Sequence, residues 1–149
     1  MKPQLTFLSE SAIELVFPEP LSDALLARVG AATGHFQHSE ELRRLGVTDV
    51  VPAYQRIVFH FRGSEVAGDD ILDAIRHMPL PPGKERSAPL HVLPVRYDGE
   101  DLEWIANHAG LTPDEVIRLH TVPEYRVAMI GFRPHFPYLY GLDERLAMP

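Results

Sequence analysis

Along the first half of the chain, apolar positions switch between a period of two and the spacing of a helix. Leu5-Thr6-Phe7-Leu8 and Ala12-Ile13-Glu14-Leu15-Val16-Phe17 predict two short strands, joined by the turn residues Ser9-Glu10-Ser11 and stopped by Pro18 and Pro20. Ser22-Asp23 offers an N-cap for a helix that places Leu25, Leu26 and Val29 on one face, while Gly30 and Gly34 weaken it locally. Ser39-Glu40-Glu41-Leu42-Arg43-Arg44 predicts a short helix with Gly46 as its C-cap signal. Val47–Ala53 and Arg56–Phe61, rich in Val, Ile and Phe, form the next strand pair, and Asp69-Asp70 opens a helix bearing Ile71, Leu72 and Ile75. Strand, strand, helix, strand, strand, helix is the order of an α+β two-layer sandwich with a mainly antiparallel sheet, not of alternating parallel βαβ units.

The pattern changes at Met78-Pro79-Leu80-Pro81-Pro82-Gly83-Lys84-Glu85-Arg86, where three prolines and a glycine exclude regular structure. An extended linker over 79–88 therefore separates a lobe at 1–78 from an extension at 89–149. That extension is expected to run strand, helix, helix, strand. Leu90-His91-Val92-Leu93-Pro94-Val95-Arg96-Tyr97 predicts a strand whose Pro94 marks an edge or a bulge. Asp101-Leu102-Glu103-Trp104 starts a helix, and Thr112-Pro113-Asp114-Glu115 starts another with an N-cap, Pro at the first position and a capping-box acid. Residues 124–131 predict the last strand, and an aromatic, proline-rich segment from Phe132 to Gly141 follows it.

Composition narrows the class. The 149 residues are 45% hydrophobic, which suits a packed core, and include no cysteine, so disulfides, thiolate metal cages and cysteine nucleophiles are excluded. The longest apolar runs fall short of the roughly 18 residues of a membrane span, and Met1-Lys2-Pro3-Gln4 does not lead into a signal peptide, so a cytoplasmic protein without membrane contact is expected. A net charge of -7 disfavours nucleic acid, because Arg43-Arg44 and Lys84-Glu85-Arg86 both lie beside acidic residues.

Three places could carry chemistry. The segment from Gly131 to Gly141 holds Phe132, Phe136, Tyr138 and Tyr140 between Pro134 and Pro137, at a spacing that fits neither helix nor strand. Such a loop either presents aromatic faces to a ligand or partner, or packs them on its own core. His120, at the end of Val116-Ile117-Arg118-Leu119-His120, is either a general acid or base reaching a cleft or a cap on the helix carbonyls. His35 and His38 stand near Glu40 and Glu41 without a second zinc-type half, so a solvated turn is the expectation and no metal site is predicted. His60 and His91 lie within predicted strands. No Walker-type loop, dinucleotide fingerprint or nucleophile elbow is present, so this chain shows no ATP site of its own.

Several strings together resemble one family in order and spacing. They are Gly46-Val47-Thr48-Asp49-Val50-Val51-Pro52-Ala53-Tyr54, Leu93-Pro94-Val95-Arg96-Tyr97, Asp101-Leu102, and Gly110-Leu111-Thr112 running on to Glu115-Val116-Ile117-Arg118-Leu119-His120. Tyr125-Arg126-Val127 and Gly131-Phe132-Arg133-Pro134-His135-Phe136-Pro137-Tyr138-Leu139 complete the match. The resemblance is to the family of allophanate hydrolase subunit 1, the 5-oxoprolinase B-type subunits and KipI, over its N-terminal part.

The resemblance implies a DCoH-like α/β domain followed in family members by a cyclophilin-like barrel, which this sequence does not reach. It implies a protein that works with a second subunit, a C-type homologue of the carboxyltransferase A and B class, on a small amide or ureido substrate. ATP would be used at the level of the complex. One branch instead implies a non-enzymatic inhibitor of a sensor histidine kinase, and a truncated relative with little activity is a further alternative. A site for a developing oxyanion would draw on His120, Arg133, His135 and backbone amides of the Gly131 loop. Tyr125, Gly131, Phe132, Pro134, Phe136, Tyr138 and Gly141 are the expected substrate or partner loop. His135 stands where the family usually has glycine, and Tyr140 replaces a small residue. A glycine marks close backbone approach or positive φ, so His135 is expected to reshape this loop.

Overall fold

The computed structural model describes residues 2–62, 68–83 and 88–148. The chain divides into two compact units, 1–87 and 88–149. The linker expected over 79–88 includes 84–87, which lie outside the described residues.

The first unit is a four-stranded antiparallel sheet with helices packed on one face. Its strands are β1 (Gln4–Ser9), β2 (Ala12–Val16), β3 (Val47–Ala53) and β4 (Arg56–Phe61), in the order β1-β2-β4-β3. Register sets the faces: Ile13 pairs with Phe59 and Leu15 with Ile57, and Val50 pairs with Phe59 from the other side. Because side chains alternate across a strand, these residues all project to one face. Helix α1 (Asp23–Gln37) covers that face with Leu25, Val29, Ala32 and Phe36, joined by Leu42 of α2 (Glu40–Arg44) and by Ile71 and Ile75 of α3 (Gly68–His77). Phe36 meets Phe59 edge-on at 5.0 Å between ring centroids. On the opposite face Arg56 pairs with Glu14 at 3.1 Å. The α+β sandwich predicted from element order is the one observed.

Caps follow the sequence signals. The Ser22 hydroxyl accepts the Leu25 N–H and the Ser39 hydroxyl accepts that of Leu42. Gly30 and Gly34 do not interrupt α1, which continues to Gln37; packing of its apolar face outweighs the propensity penalty. His35 therefore lies in the last helical turn and not in a turn segment, and the His38 ring bonds the Gly34 carbonyl at 2.7 Å.

The second unit is built on α4 (Asp101–Ala109) and α5 (Pro113–Thr121), closed by a short 3-10 helix at Glu144–Leu146. Ala106, Val116, Leu119 and Leu146 form its core. Gly110 ends α4 in the left-handed conformation. Thr112 and Glu115 complete a reciprocal capping box at the start of α5, and the Thr112 N–H, with its hydroxyl, holds the Glu115 carboxyl below its usual range. A two-stranded antiparallel ribbon, β5 (Arg126–Ile130) with β6 (Pro137–Tyr140), follows.

Two expectations are corrected here. Residues 90–97 form no strand: Pro94 lacks an N–H and no described strand pairs with them, so Leu90, Val92, Leu93 and Val95 lie exposed. The segment after Gly131 is not wholly irregular, because 137–140 form β6. Proline is tolerated there as the first residue of an edge strand, opposite Ile130.

Candidate functional site

The end of α5 gathers three ring systems. The Nδ1 of His120 lies 2.6 Å from the Tyr97 hydroxyl, within hydrogen-bond distance, and the two rings meet edge-on at 5.7 Å. The carbonyl of His120, one of the helix-end carbonyls left without an intrahelical partner, accepts the Tyr125 hydroxyl at 2.9 Å. The Tyr125 ring also lies 5.5 Å from that of His120. Burial pushes the Tyr125 phenol above its ordinary pKa of 10.0, with Tyr97 and Asp143 adding to the effect. The Thr121 hydroxyl donates to the Ile117 carbonyl at 2.8 Å. Capping thus falls to Tyr125 and Thr121, and the His120 ring is not used as a cap. It remains solvent-exposed, and its Nε2 has no hydrogen-bond partner among the described residues.

The β5–β6 connection is built from two turns. Phe136 N–H donates to the Arg133 carbonyl at 3.1 Å, closing a β-turn with Pro134 at its second position and His135 at its third. His135 has φ 63, the value a type II turn demands at that position, where glycine is favoured because it lacks a Cβ. Arg133 N–H donates to the Gly131 carbonyl at 2.7 Å around Phe132, whose φ is also 63, as in a three-residue γ-turn. Gly131 N–H donates to the Phe136 carbonyl. These bonds occupy three of the loop's amides, so the donors it can still offer are the N–H groups of Phe132 and His135 and the Arg133 guanidinium.

The loop's aromatics pack on one another more than on a core. Phe132 meets Phe136 edge-on at 6.1 Å and Phe136 meets Tyr138 at 5.4 Å, yet Phe132 is 80% exposed and Phe136 45%. Arg133 lies over the Phe132 ring at 5.6 Å. Phe132 and Phe136 are thus exposed, whereas Tyr138 and Tyr140 are half-buried. Gly141, after β6, has φ 112, and a Cβ there would come within 3.1 Å of the Glu124 carbonyl oxygen. Only glycine allows the ribbon to close this tightly beside Tyr125.

Tyr125 is thus brought to His120. No hydrogen bond, ion pair or ring contact joins His120 to Arg133 or His135 among the described residues. Tyr97 is the site residue that sequence reasoning misses; its one signal is its place at the end of the Leu93-Pro94-Val95-Arg96-Tyr97 string. Nearby, Asp143 caps the 3-10 helix and is held at a pKa of about 2 by the Arg145 side chain. Among the described residues no group of three or more His, Asp or Glu is placed to hold a metal ion, and no helix is long and apolar enough to cross a membrane.

The sequence profile of the carboxyltransferase domain, subdomain C and D, matches residues 3–149, and the chain belongs to that family. The chain is 28% identical over 169 residues to the 5-oxoprolinase B-type subunit of Bacillus subtilis, covering 98% of this chain and 66% of the relative. It is 33% identical over 107 residues to the protein of the same name from Escherichia coli O157:H7, covering 69% of this chain and 49% of that one. The crystal structure of TTHA0988 superposes with a TM-score of 0.65 at 31% identity, covering 93% of this chain and 26% of the other. The chain therefore spans two thirds or less of the length of each.

Proposed function

We propose that this chain acts as the B-type component of a 5-oxoprolinase-like complex that opens a small cyclic amide with ATP, the nucleotide being used by the complex and not bound by this chain alone. The observation that carries the reading is the match of nearly the whole chain to a relative named as the 5-oxoprolinase B-type subunit. Exposed apolar surface supports the need for a partner. Among the described residues, twelve of the sixteen exposed large hydrophobic side chains belong to the second unit, including Val92, Leu93 and Phe132. Exposed apolar side chains that gather in one patch favour an interaction site, and the run from Leu90 to Val95 supports the reading on that ground. A C-type homologue is the partner that the lettered naming of the relatives suggests. In this reading His120 and the 131–141 loop lie at the substrate or subunit interface. Hydrolysis of an amide develops negative charge on its carbonyl oxygen, and the donors available for it are His120, Arg133 and the free loop amides at Phe132 and His135.

Co-expression with a C-type homologue, followed by size-exclusion chromatography and an assay for ATP-dependent glutamate release from 5-oxoproline, tests the proposal. A co-eluting complex that releases glutamate is the expected result; absence of both the complex and glutamate overturns it. Nothing in the fold or in the named relatives favours the kinase-inhibitor alternative.

A further inference from the structure

We infer that Tyr97 holds His120 in the tautomer protonated at Nε2, so that His120 serves the proposed reaction as a hydrogen-bond donor to a substrate oxygen and not as a general base. The inference rests on the proposed function for its catalytic half and on geometry alone for its tautomeric half. In the 2.6 Å contact between the Tyr97 hydroxyl and His120 Nδ1, one proton lies between the two atoms. The phenol is the better donor and the imidazole nitrogen the better acceptor, since a phenol has an ordinary pKa of about 10 and a neutral imidazole nitrogen is far more basic than a phenol oxygen. Moreover, the Tyr97 hydroxyl has no other partner among the described residues, so donation by Nδ1–H would leave its proton to solvent. With Nδ1 accepting, the single proton of the neutral ring is on Nε2.

The surroundings fix the direction of that N–H. The His120 carbonyl is tied to the Tyr125 hydroxyl and the ring is flanked by Tyr97 and Tyr125, so main chain and side chain are both constrained while the residue stays exposed to solvent. A base must have a free lone pair at the nitrogen that reaches the substrate, and here that nitrogen already carries hydrogen. An N–H aimed at a carbonyl oxygen instead stabilises the charge that grows there as the amide is attacked. Tyr97 is a positioning residue in this scheme, because it acts through His120.

Long-range nitrogen–proton correlation spectra of the full chain labelled with 15N-histidine read the tautomer directly. His120 is assigned as the signal missing in His120→Gln. The expected wild-type pattern is a protonated, pyrrole-type Nε2 and an unprotonated Nδ1 displaced by hydrogen bonding, with Tyr97→Phe moving Nδ1 to the value of a nitrogen without a donor. A protonated Nδ1 in the wild type, or His120 resonances unchanged in Tyr97→Phe, overturns the inference. In the assembled complex, His120→Ala is expected to lower kcat about 10²-fold, the cost of one oxyanion donor. His120→Gln, which keeps an N–H near the Nε2 position, should retain roughly tenfold more activity than His120→Ala. Equal loss in the two variants refutes the donor role. If the wild-type complex releases no glutamate while the spectra show the expected tautomer, it is the proposed function that fails.

Discussion

Replacing His135 by glycine isolates the cost of a side chain held at positive φ in this loop. The residue occupies the third position of a turn closed by the Phe136 N–H to Arg133 carbonyl bond, with φ 63. A side chain in the left-handed region costs roughly 1–2 kcal/mol through contact of its Cβ with the following carbonyl, and histidine, which populates this region more often than most, belongs near the lower bound. Glycine removes that cost but has more freedom to lose on folding, which takes back about 0.5–1 kcal/mol. His135→Gly is therefore expected to stabilise the second unit by up to about 0.5 kcal/mol. Because the net gain is small, the decisive comparison is with His135→Ala, which keeps the Cβ in the left-handed region. Within an ordinary helix or strand, glycine is less stable than alanine by roughly 0.5–1 kcal/mol; here the order should reverse. Urea unfolding followed by fluorescence of Trp104, the single tryptophan and a member of the same unit, gives both midpoints. Glycine equal to or below alanine would refute the assignment of a strained type II turn.

Three further outcomes follow from the same geometry. Gly30 lies inside α1 on the exposed side, and a Cβ there would meet nothing within 4 Å, so Gly30→Ala should stabilise the first unit by up to about 1 kcal/mol, read by circular dichroism in urea. Thr112→Ala removes the hydroxyl that accepts the Glu115 N–H at the start of α5 and should destabilise the second unit by about 1 kcal/mol in the same unfolding assay. Asp143 is ionised in the folded chain down to about pH 2, against an ordinary value of 3.8. A lowered folded pKa adds stability that is complete above the unfolded value and is lost as pH falls through the folded one. The Asp143 contribution should therefore fade between about pH 4 and pH 2, and Asp143→Asn should abolish that part of the pH dependence.

What could be read from the chain separates from what could not along a physical line. The strands of the first unit, its α1 cap at Ser22 and the capping box at Thr112 depend on residues near in sequence, and each is legible from spacing alone. The type II turn is equally local: Arg133-Pro134-His135-Phe136 carries Pro at the second position and a residue forced to positive φ at the third. The segment 90–97 shows the limit of this logic. Its alternating apolar residues record a preference for extended backbone and for cover, but a strand exists only where another backbone supplies donors and acceptors, and the described residues supply none. The pairing of Tyr97 with His120 fails to show in the sequence for the opposite reason. It joins the end of that unpaired segment to the end of a helix, 23 residues on, through a side-chain hydrogen bond that no periodicity encodes. The same segment thus joins exposed apolar residues to the tyrosine beside the ring of His120. A partner that covers Val92 and Leu93 would also set the position of Tyr97, and binding would then act on the proposed donor through the residue that orients it.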